Sequence, residues 1–469
     1  MSLMISISGI RGIVGTSLTP DVVVRYASAF GQYCKQLQPS GTAIYLGRDG
    51  RVSGKVFANI ISSTLISMGI DVRAIGVCPT PTIALAVERS DAVGGISVTA
   101  SHNPMEWNGM KFIGSNGMFL DAEENRKLWS LADKGSFTYA SSNAQGKHSL
   151  ADEWLRKHIN AVLELPYIDK STLQRRGFKV VVDCVNASGG TVMPMLLKEL
   201  GCNVVEVNCD VSGVFAHTPE PLFENLSDLA SRVVAEKADL GIAVDPDADR
   251  LVLITESGEP FVEENTIAAA IKFVLGKRSR EQGKGRQETA DRRPERVVVN
   301  LSTTRAVDDV ARECGAEVIR TPVGEINVAK RMKEVGAIIG GEGSGGVILP
   351  EVHLGRDALV GTGLILQMLA ESGGTLSQLK SSLPQYAIAK GKIELGESSQ
   401  DKTLDHFKSM HNGSGSINTD DGLKIDYPDH WIHLRKSNTE PIIRVIAEAR
   451  TNAQAKTIME KTKQELTAI

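Results

Sequence analysis

The chain has 469 residues, a formal net charge of −4, and 42% hydrophobic and 23% charged residues, which is the composition of an ordinary globular protein. It is too long for one hydrophobic core, so we expect several domains. The slightly acidic charge argues against general nucleic-acid binding. No apolar run reaches the roughly 18–20 residues of a membrane span, so we expect no membrane partner. The six cysteines lack CxxC spacing and the N-terminus lacks a signal-peptide pattern, which predicts a cytoplasmic protein.

One pattern occurs three times along the chain, at residues 42–77, 179–208 and 296–324. Each copy has a β-branched run, a turn rich in Gly or Ser/Thr, an amphipathic segment, a glycine and a second apolar run. This order is typical of a parallel strand-helix-strand crossover. The glycines that would end the three helices are Gly69, Gly201 and Gly315. The repeats predict three related α/β domains.

In each copy, a later apolar run leads into an unusual polar loop. The three stretches are "GGISVTASHNP" (94–104), "ADLGIAVDPDADR" (238–250) and "GAIIGGEGSGG" (336–346). Ligands bind beyond the carboxyl ends of the strands in open α/β sheets. We therefore expect the three loops to face a shared cleft.

Two stretches depart from the repeats. From about residue 371 onward, short strand-like runs and a closing amphipathic segment predict a smaller α+β domain. The basic stretch at 276–296 lacks apolar periodicity, so we expect a solvated surface loop there.

Alternating aspartates in "DPDADR" predict a metal site. Asp245, Asp247 and Asp249 follow a buried strand, and an extended loop can turn all three carboxylates toward one point. All-oxygen ligation suits Mg²⁺ or Ca²⁺ rather than zinc. The spacing does not suit an EF-hand, because Arg250 stands where the sharp turn requires glycine. A solvated acidic turn is the remaining alternative.

The glycine-rich stretch "GEGSGG" lacks the Lys-Ser/Thr of a P-loop. Glu342 would repel a phosphate but can accept hydrogen bonds from neutral hydroxyls. Glu342 and Ser344 are therefore candidate ligands of sugar hydroxyls, with a plain glycine turn as the alternative.

The stretch "RKSNTEPIIR" (435–444) brings a guanidinium, two hydroxyls and an amide together. These donors belong to Arg435, Ser437, Asn438 and Thr439. Forked, charge-assisted hydrogen bonds from arginine suit a phosphate dianion. A capped polar turn is the alternative.

Ser101 and His102 are adjacent, which at first suggests a hydrolase. Neighbouring side chains usually diverge, however, and the G-x-S-x-G nucleophile elbow is absent. Lys111 follows ten residues later. Because the chain also has a predicted metal loop and a predicted phosphate loop, phosphoryl transfer through Ser101 fits the sequence better than acyl transfer does.

Taken in order, these motifs resemble the α-D-phosphohexomutase superfamily, which contains phosphoglucomutases, phosphomannomutases and phosphoglucosamine mutases. "TASHNP" is similar to its phosphoserine loop, "DPDADR" to its metal loop, "GEGSGG" to its sugar loop and "RKSNTEP" to its phosphate loop. "SGIRG" is similar to the segment that brings an active-site arginine, here Arg11. The match covers essentially the whole chain.

The resemblance implies three related α/β domains with mixed sheets and a C-terminal α+β domain of TATA-binding-like fold around a central cleft. We place the phosphoserine, metal-binding, sugar-binding and phosphate-binding domains at residues 1–150, 151–255, 256–370 and 371–469. We expect a monomer or a homodimer whose partner is a small phosphosugar.

The activity that the resemblance implies is a phosphosugar mutase. Phosphorylated Ser101 would interconvert hexose 6-phosphate and hexose 1-phosphate through a hexose 1,6-bisphosphate, which is both intermediate and activator. Asp245, Asp247, Asp249 and a phosphoserine oxygen would hold Mg²⁺. Lys111 matches the general acid/base, with its pKa tuned downward by Arg250.

The remaining roles follow from the same resemblance. His102 would support the phosphoserine loop, and the loop around Arg435 would clamp the phosphate that is not reacting. The implied catalytic residues are Ser101, Lys111, Arg11 and His102. The implied substrate-binding residues are Arg250, Glu325, Glu342, Ser344, Arg435, Ser437, Asn438, Thr439 and Arg444.

Two departures from the resemblance bear on the sugar. Many phosphomannomutase/phosphoglucomutase members have His where this chain has Gly346, and a Gly-His pair where Glu325 follows Gly324. An acidic residue at that position is similar to phosphoglucosamine mutases and would suit a sugar ammonium. "SNTEP" is closer to mannose and glucose members. We lean toward glucosamine phosphate, with mannose or glucose phosphates as the alternative.

Two functions other than a mutase remain open from the residues. A metal-dependent sugar phosphatase would use the same serine and metal but would not need the clamp at Arg435. A non-catalytic sugar-phosphate sensor would keep the clamp and tolerate Ser101→Ala.

Overall fold

The computed structural model describes residues 3–38, 43–283, 294–394, 399–436 and 442–468. These residues form four β-sheets with helices packed around them. Within these ranges, no helix combines the length and the apolar character needed to cross a membrane.

The first sheet has seven strands in the order β1-β2-β6-β5-β3-β4-β7. The strands are β1 (Met4–Ser6), β2 (Gly9–Ile13), β3 (Ala43–Arg48), β4 (Asp71–Val77), β5 (Gly94–Val98), β6 (Trp107–Gly114) and β7 (His148–Leu150). The helices are α1 (Pro20–Leu37), α2 (Gly54–Ser67), α3 (Thr80–Glu88) and α4 (Ala122–Lys134). Strand β3 is parallel to β4 and β5, and β6 runs antiparallel to β5.

The second sheet has four strands in the order β11-β10-β8-β9. The strands are β8 (Lys179–Asp183), β9 (Asn203–Val207), β10 (Leu240–Val244) and β11 (Leu251–Thr255). The helices are α5 (Glu153–Leu163), α6 (Lys170–Arg176), α7 (Met193–Glu199) and α8 (Ser227–Glu236), with short 3₁₀ turns at Ser188–Thr191 and Phe223–Asn225.

The third sheet has four strands in the order β13-β12-β14-β15. The strands are β12 (Arg296–Asn300), β13 (Glu317–Thr321), β14 (Ile339–Glu342) and β15 (Gly346–Ile348). The helices are α9 (Glu263–Gly283), α10 (Ala306–Glu313), α11 (Glu325–Val335) and α12 (Ala358–Ser372).

Helix α9 corrects one prediction. The basic stretch at 276–296 was expected to be a surface loop, but residues 276–283 continue α9, while residues 284–293 lie outside the described residues. The polar end of this helix is held by ion pairs, from Lys277 to Glu371 at 2.5 Å and from Arg278 to Glu351 at 3.2 Å. Apolar periodicity could not reveal this extension, because it depends on charged side chains from other parts of the chain.

The first three sheets share one four-strand plan, which confirms three related α/β domains with mixed sheets. In chain order, the strands that share this plan are β3 to β6, β8 to β11 and β12 to β15. Within each set, the first strand lies between the second and the third and is parallel to both, and the fourth runs antiparallel to the third. The turn between the third and fourth strands carries the polar loop. The three loops therefore occupy equivalent positions.

The fourth sheet is antiparallel, in the order β16-β20-β19-β18-β17. The strands are β16 (Ala387–Glu394), β17 (Ser416–Asn418), β18 (Leu423–Asp426), β19 (Trp431–Lys436) and β20 (Ile442–Ala449). The helices are α13 (Leu376–Ser381), α14 (Gln400–Met410) and α15 (Asn452–Thr467). This arrangement confirms the α+β domain and its closing helix. The exact boundaries between the four domains stay a prediction.

The core explains how the loops are held. One hydrophobic cluster runs from Ile83 in α3 through Val162 in α5 to Leu364 in α12, and so joins the first three domains. The antiparallel sheet has a separate cluster around Phe407 and Val445. The first three loops are therefore fixed by a common core, whereas the fourth domain packs around its own.

Candidate active site

Ser101 lies directly beyond β5 and is almost fully buried, at 2% exposure. Its φ of 50° is in the left-handed region that favours glycine. Its Oγ lies 3.1 Å from Asp245 Oδ2 and 3.3 Å from His102 Nδ1. The serine is thus held in a strained conformation against the metal loop.

The metal loop turns at Ala248, whose φ is 49°. One oxygen from each of Asp245, Asp247 and Asp249 lies within 4.8 Å of the other two, and all three residues are buried. Asp247 Oδ1 and Asp249 Oδ1 have no hydrogen-bond partner within the described ranges. Burial, and then repulsion from the other two aspartates, raises the pKa of Asp245. Clustered, partly unsatisfied carboxylate oxygens are the donor set that a hard divalent cation requires.

Lys111 on β6 contacts the same carboxylates. Its Nζ lies 2.6 Å from Asp247 Oδ2 and 3.3 Å from Asp249 Oδ2. Burial lowers the pKa of Lys111, but the two carboxylates outweigh burial, and the pKa is raised. The expectation that Arg250 lowers this pKa is therefore wrong, since the two carboxylates that Lys111 touches dominate its environment. Lys111 is a cation that neutralises part of the aspartate cluster.

His102, within the phosphoserine loop, and Arg11, beside the loop, are the next two predicted site residues. Burial, and then the positive charges of Arg250 and Arg11, lowers the pKa of His102 to about 2, so this imidazole is neutral near pH 7. Arg11 on β2 donates from Nη1 to Asn103 Oδ1 at 3.1 Å. The supporting role expected for His102 stays a prediction.

Arg250 follows the metal loop directly. Its Nη1 lies 3.9 Å from Glu220 Oε1, and its Nε lies 3.9 Å from Asp249 Oδ1. The Nε is buried and has no hydrogen-bond partner in the part of the chain that the structure describes. Glu220 also lies 3.9 Å from His102 Nε2, so one carboxylate faces both residues.

The sugar loop is the turn between β14 and β15. Glu342 ends β14, and its Oε1 accepts hydrogen bonds from Asn300 Nδ2 at 2.8 Å and from the Gly324 amide at 3.0 Å. Ser344 lies in the turn itself and is partly exposed. Glu342 is thus anchored from the end of β12 and from the turn between β13 and α11.

Arg356 joins the metal loop to the sugar loop, and the sequence analysis missed it. Its Nη2 lies 2.7 Å from Asp249 Oδ2, and its Nη1 lies 2.7 Å from Glu342 Oε2. Its Nε lies 3.2 Å from Glu325 Oε2, and its backbone amide donates to Glu325 Oε1 at 3.0 Å. Arg356 directly precedes Asp357, which caps α12. No motif marks that position, since its three partners lie in the metal loop, at the end of β14 and at the start of α11.

The phosphate loop is described only at its ends. Arg435, near the end of β19, lies 2.9 Å through Nε from Asp421 Oδ2. Arg444 is exposed and lies opposite Arg435 on β20. Ser437, Asn438 and Thr439 lie outside the described residues.

A chain of contacts connects this loop to the sugar loop. Asp421 Oδ2 also accepts from the Val323 amide at 2.9 Å, and the next amide, of Gly324, donates to Glu342. The structure thus links the phosphoserine, metal and sugar loops through direct contacts, and it links Arg435 to them through Asp421. Their roles in catalysis stay predictions.

Comparison with known proteins accounts for all four domains. Profiles of the phosphoglucomutase/phosphomannomutase α/β/α domains I, II and III match residues 4–139, 156–258 and 269–386, and that of the C-terminal domain matches residues 392–465. A Thermococcus kodakarensis phosphoglucomutase/phosphomannomutase is 37% identical over 96% of both chains. A probable phosphoglucosamine mutase of Methanopyrus kandleri is 34% identical over 97% of this chain and 95% of its own.

A solved structure agrees with this assignment. A Burkholderia thailandensis phosphoglucomutase/phosphomannomutase family protein superposes with a TM-score of 0.84, at 27% identity, over 99% of this chain and 98% of that one. With all four domains matched in order and relatives similar over nearly the full length, this chain belongs to the phosphoglucomutase/phosphomannomutase family.

Proposed function

We propose that the protein is a phosphosugar mutase that interconverts hexose 6-phosphate and hexose 1-phosphate, with glucosamine phosphate as its preferred substrate. The observation that carries this proposal is the buried Ser101 Oγ, 3.1 Å from Asp245 and next to the carboxylate cluster that holds Lys111. Such a site supplies a phosphoryl acceptor, a place for a divalent cation and a proton carrier together.

The aspartate cluster would hold Mg²⁺, with Asp245, Asp247, Asp249 and a phosphoserine oxygen as ligands. When bound, the ion would neutralise negative charge on the phosphoryl group during its transfer. Asp247 and Asp249 each have an unpartnered buried oxygen in the described part of the site, which supports this assignment.

The reaction balances without any further reactant. In the first half, the phosphorus–Oγ bond of phosphorylated Ser101 breaks and a bond from phosphorus to a hydroxyl of the sugar monophosphate forms. The hydroxyl loses one proton and Oγ gains one. We assign both transfers to protonated Lys111, which would give its proton to Oγ and take the proton of the hydroxyl in return. In the second half, the other phosphate of the hexose 1,6-bisphosphate returns to Ser101.

The two phosphates would be bound at opposite ends of the site, with the sugar between them. Glu342 and Ser344 would accept sugar hydroxyls, and Arg11 and Arg250 would face the reacting phosphate. Arg435 and Arg444 would clamp the other phosphate together with residues 437–439. Because the bisphosphate must rebind reversed, both ends have to accept either orientation.

The preference for glucosamine phosphate rests on charge. Beside the sugar loop, the single guanidinium of Arg356 faces two carboxylates, of Glu342 and Glu325, so negative charge remains in excess there. That excess would favour a sugar ammonium over a hydroxyl. Mannose and glucose phosphates are the second candidates, and the name of the Thermococcus kodakarensis relative supports them. We further propose a cytoplasmic monomer or homodimer that binds no nucleic acid and no membrane.

A side-by-side coupled assay tests the proposal. Glucosamine, glucose, mannose and N-acetylglucosamine phosphates would be offered with Mg²⁺ and a trace of hexose 1,6-bisphosphate. We expect the isomerised sugar phosphate, fastest for glucosamine, and no turnover by Ser101→Ala. Release of inorganic phosphate without isomerisation would support a phosphatase, and full activity of Ser101→Ala would contradict the serine mechanism.

A further inference from the structure

Arg51, in the turn after β3, binds the backbone of the phosphoserine loop. Its side chain is completely buried, at 0% exposure, and all three of its nitrogens are used. Nε pairs with Asp49 Oδ2 at 2.9 Å. Nη2 donates to the carbonyls of Ser101 and Asn103, both at 2.6 Å. Nη1 donates to the carbonyls of Pro104 at 2.6 Å and Trp107 at 3.0 Å. The Arg51 side chain thus fixes the backbone of the phosphoserine loop at four carbonyls between residues 101 and 107.

Asp49 completes the connection from the other side. Its Oδ2 accepts a hydrogen bond from Thr99 Oγ1 at 2.6 Å, and Thr99 Oγ1 accepts one from the Ser101 amide at 2.8 Å. Both the amide and the carbonyl of Ser101 are therefore attached to Arg51 and Asp49. A non-glycine residue with a φ of 50° keeps that conformation only when its surroundings impose it.

The same pair is tied to the metal loop. The Ser188 amide donates to the Asp49 carbonyl at 2.9 Å, and Ser188 Oγ donates to the Pro246 carbonyl, between two of the aspartates, at 2.7 Å. The ring of Phe215 lies 4.8 Å from the Arg51 guanidinium carbon. The second domain thus packs on the pair and connects it to the aspartate loop.

We propose that Arg51 and Asp49 are positioning residues for phosphoryl transfer, holding Ser101 in its left-handed conformation beside Asp245. This inference rests on the proposed mutase function. Neither residue contacts the sugar loop or the phosphate loop in the described contacts, so losing the pair lowers kcat rather than raising KM. Lysine cannot replace Arg51, because an ammonium has three donors and no planar fork.

The test compares Arg51→Lys and Arg51→Gln with Arg305→Gln. Arg305 is a matched control, since its guanidinium binds the carbonyls of Tyr427, Pro428 and His430 in a hairpin of the fourth domain. The measurements are kcat, KM, thermal stability, and amide hydrogen exchange of residues 99–107. Asp49→Asn is a milder variant if an Arg51 variant does not fold.

We expect each Arg51 variant to lower kcat by about 100-fold, the upper range for losing a supporting contact, with an unchanged KM and faster exchange at residues 99–107. Arg305→Gln should lower stability without changing kcat or that exchange. A folded Arg51→Lys or Asp49→Asn protein with wild-type kcat, or with unchanged exchange at 99–107, would overturn the inference. Absence of mutase activity in the wild-type protein would instead refute the proposed function, and the exchange measurement would still test whether Arg51 and Asp49 hold the phosphoserine loop.

Discussion

The two ends of the proposed substrate site are built differently. At the reacting end, Ser101, Lys111 and Asp247 are 2%, 2% and 0% exposed and belong to one network of direct contacts. At the phosphate end, the Arg435 side chain is 23% exposed, its described ion pair is with Asp421, and Arg444 is exposed.

This difference follows from the two cores. The proposed reacting groups belong to the first and second sheets, which share one hydrophobic cluster, whereas Arg435 lies on a sheet with its own. A pre-assembled reacting end keeps the phosphoryl donor and acceptor aligned. Such alignment, together with fixed charges around the reacting atoms, makes the largest contributions to the rate of an enzyme. A phosphate end with weaker attachments suits a bisphosphate that must bind in both orientations.

The largest effect is expected from Asp247→Asn at the reacting end. This change removes a proposed metal ligand and the closest partner of Lys111, and we expect activity to fall by at least about 100-fold. Chelation of the metal should abolish activity, and Mg²⁺ should restore it in the wild type. A variant with near-normal kcat at low Mg²⁺ would contradict the assigned role of this carboxylate.

A smaller loss is expected from Arg356→Gln, which breaks the link between Asp249 and Glu342. Because Arg356 supports the metal loop without being a metal ligand, we expect a loss of about 10- to 100-fold in kcat/KM and a higher Mg²⁺ requirement. The Mg²⁺ titration is the decisive readout, since general destabilisation would not change it. An unaltered titration curve would refute the link.

Glu325→Gln tests the sugar preference. Removing this negative charge should lower kcat/KM for glucosamine phosphate more than for glucose phosphate, by about tenfold, which corresponds to about 1.4 kcal/mol of discrimination. The measurement is the ratio of kcat/KM for the two substrates in each protein. Equal losses on both substrates would eliminate Glu325 as the specificity residue.

At the phosphate end, Asp421→Asn should modestly improve substrate binding, whereas the preceding substitutions lower activity. It frees Arg435 from a partly exposed ion pair that a substrate phosphate has to displace. Such pairs are worth about 0.2–1 kcal/mol, so we expect KM to fall by less than about fivefold with little change in kcat. A large drop in kcat would show that this end is as pre-assembled as the other.

The smallest effect concerns stability beneath the sugar loop. Burial raises the pKa of Glu264 to about 8, while its carboxylate accepts from the Thr304 amide at 3.0 Å. Since the folded-state pKa is above the unfolded one, this residue's contribution to stability is complete below about pH 4.5 and is lost as pH rises through about 8.

Glu264→Gln keeps the acceptor and cannot ionise. Its melting temperature should therefore exceed that of the wild type by about 2–4 °C at pH 9, with the difference shrinking toward pH 5. Thermal melts of both proteins across this range measure the effect. A difference that does not depend on pH would show that ionisation of Glu264 is not its cause.

The sequence predicted those parts of the fold and site that depend on local patterns. The crossover units, the polar loops beyond β5, β10 and β14, and the closing helix α15 each follow from periodicity and turn chemistry. The end of α9 and the contacts of Arg356 could not be predicted in this way, because both depend on charged partners far away in the chain.

Arg51 shows where more could have been read from the sequence. Asp49 and Arg51 follow the buried strand β3, and the rule that selected the other polar loops applies to them equally. The pKa of Lys111 could not be predicted, since it depends on distances to Asp247 and Asp249 that only the folded chain sets.

Transfer of a phosphoryl group through Ser101 is the central claim, and peptide mass spectrometry tests it most directly. The purified protein would be incubated with hexose 1,6-bisphosphate and Mg²⁺, and the excess bisphosphate would then be removed. One portion would be digested at once, and a second portion would be digested after incubation with hexose 6-phosphate and Mg²⁺. We predict one phosphoryl group on Ser101 that disappears as an equal amount of bisphosphate forms. Phosphorylation of a different residue, or turnover with Ser101 never modified, would contradict the account.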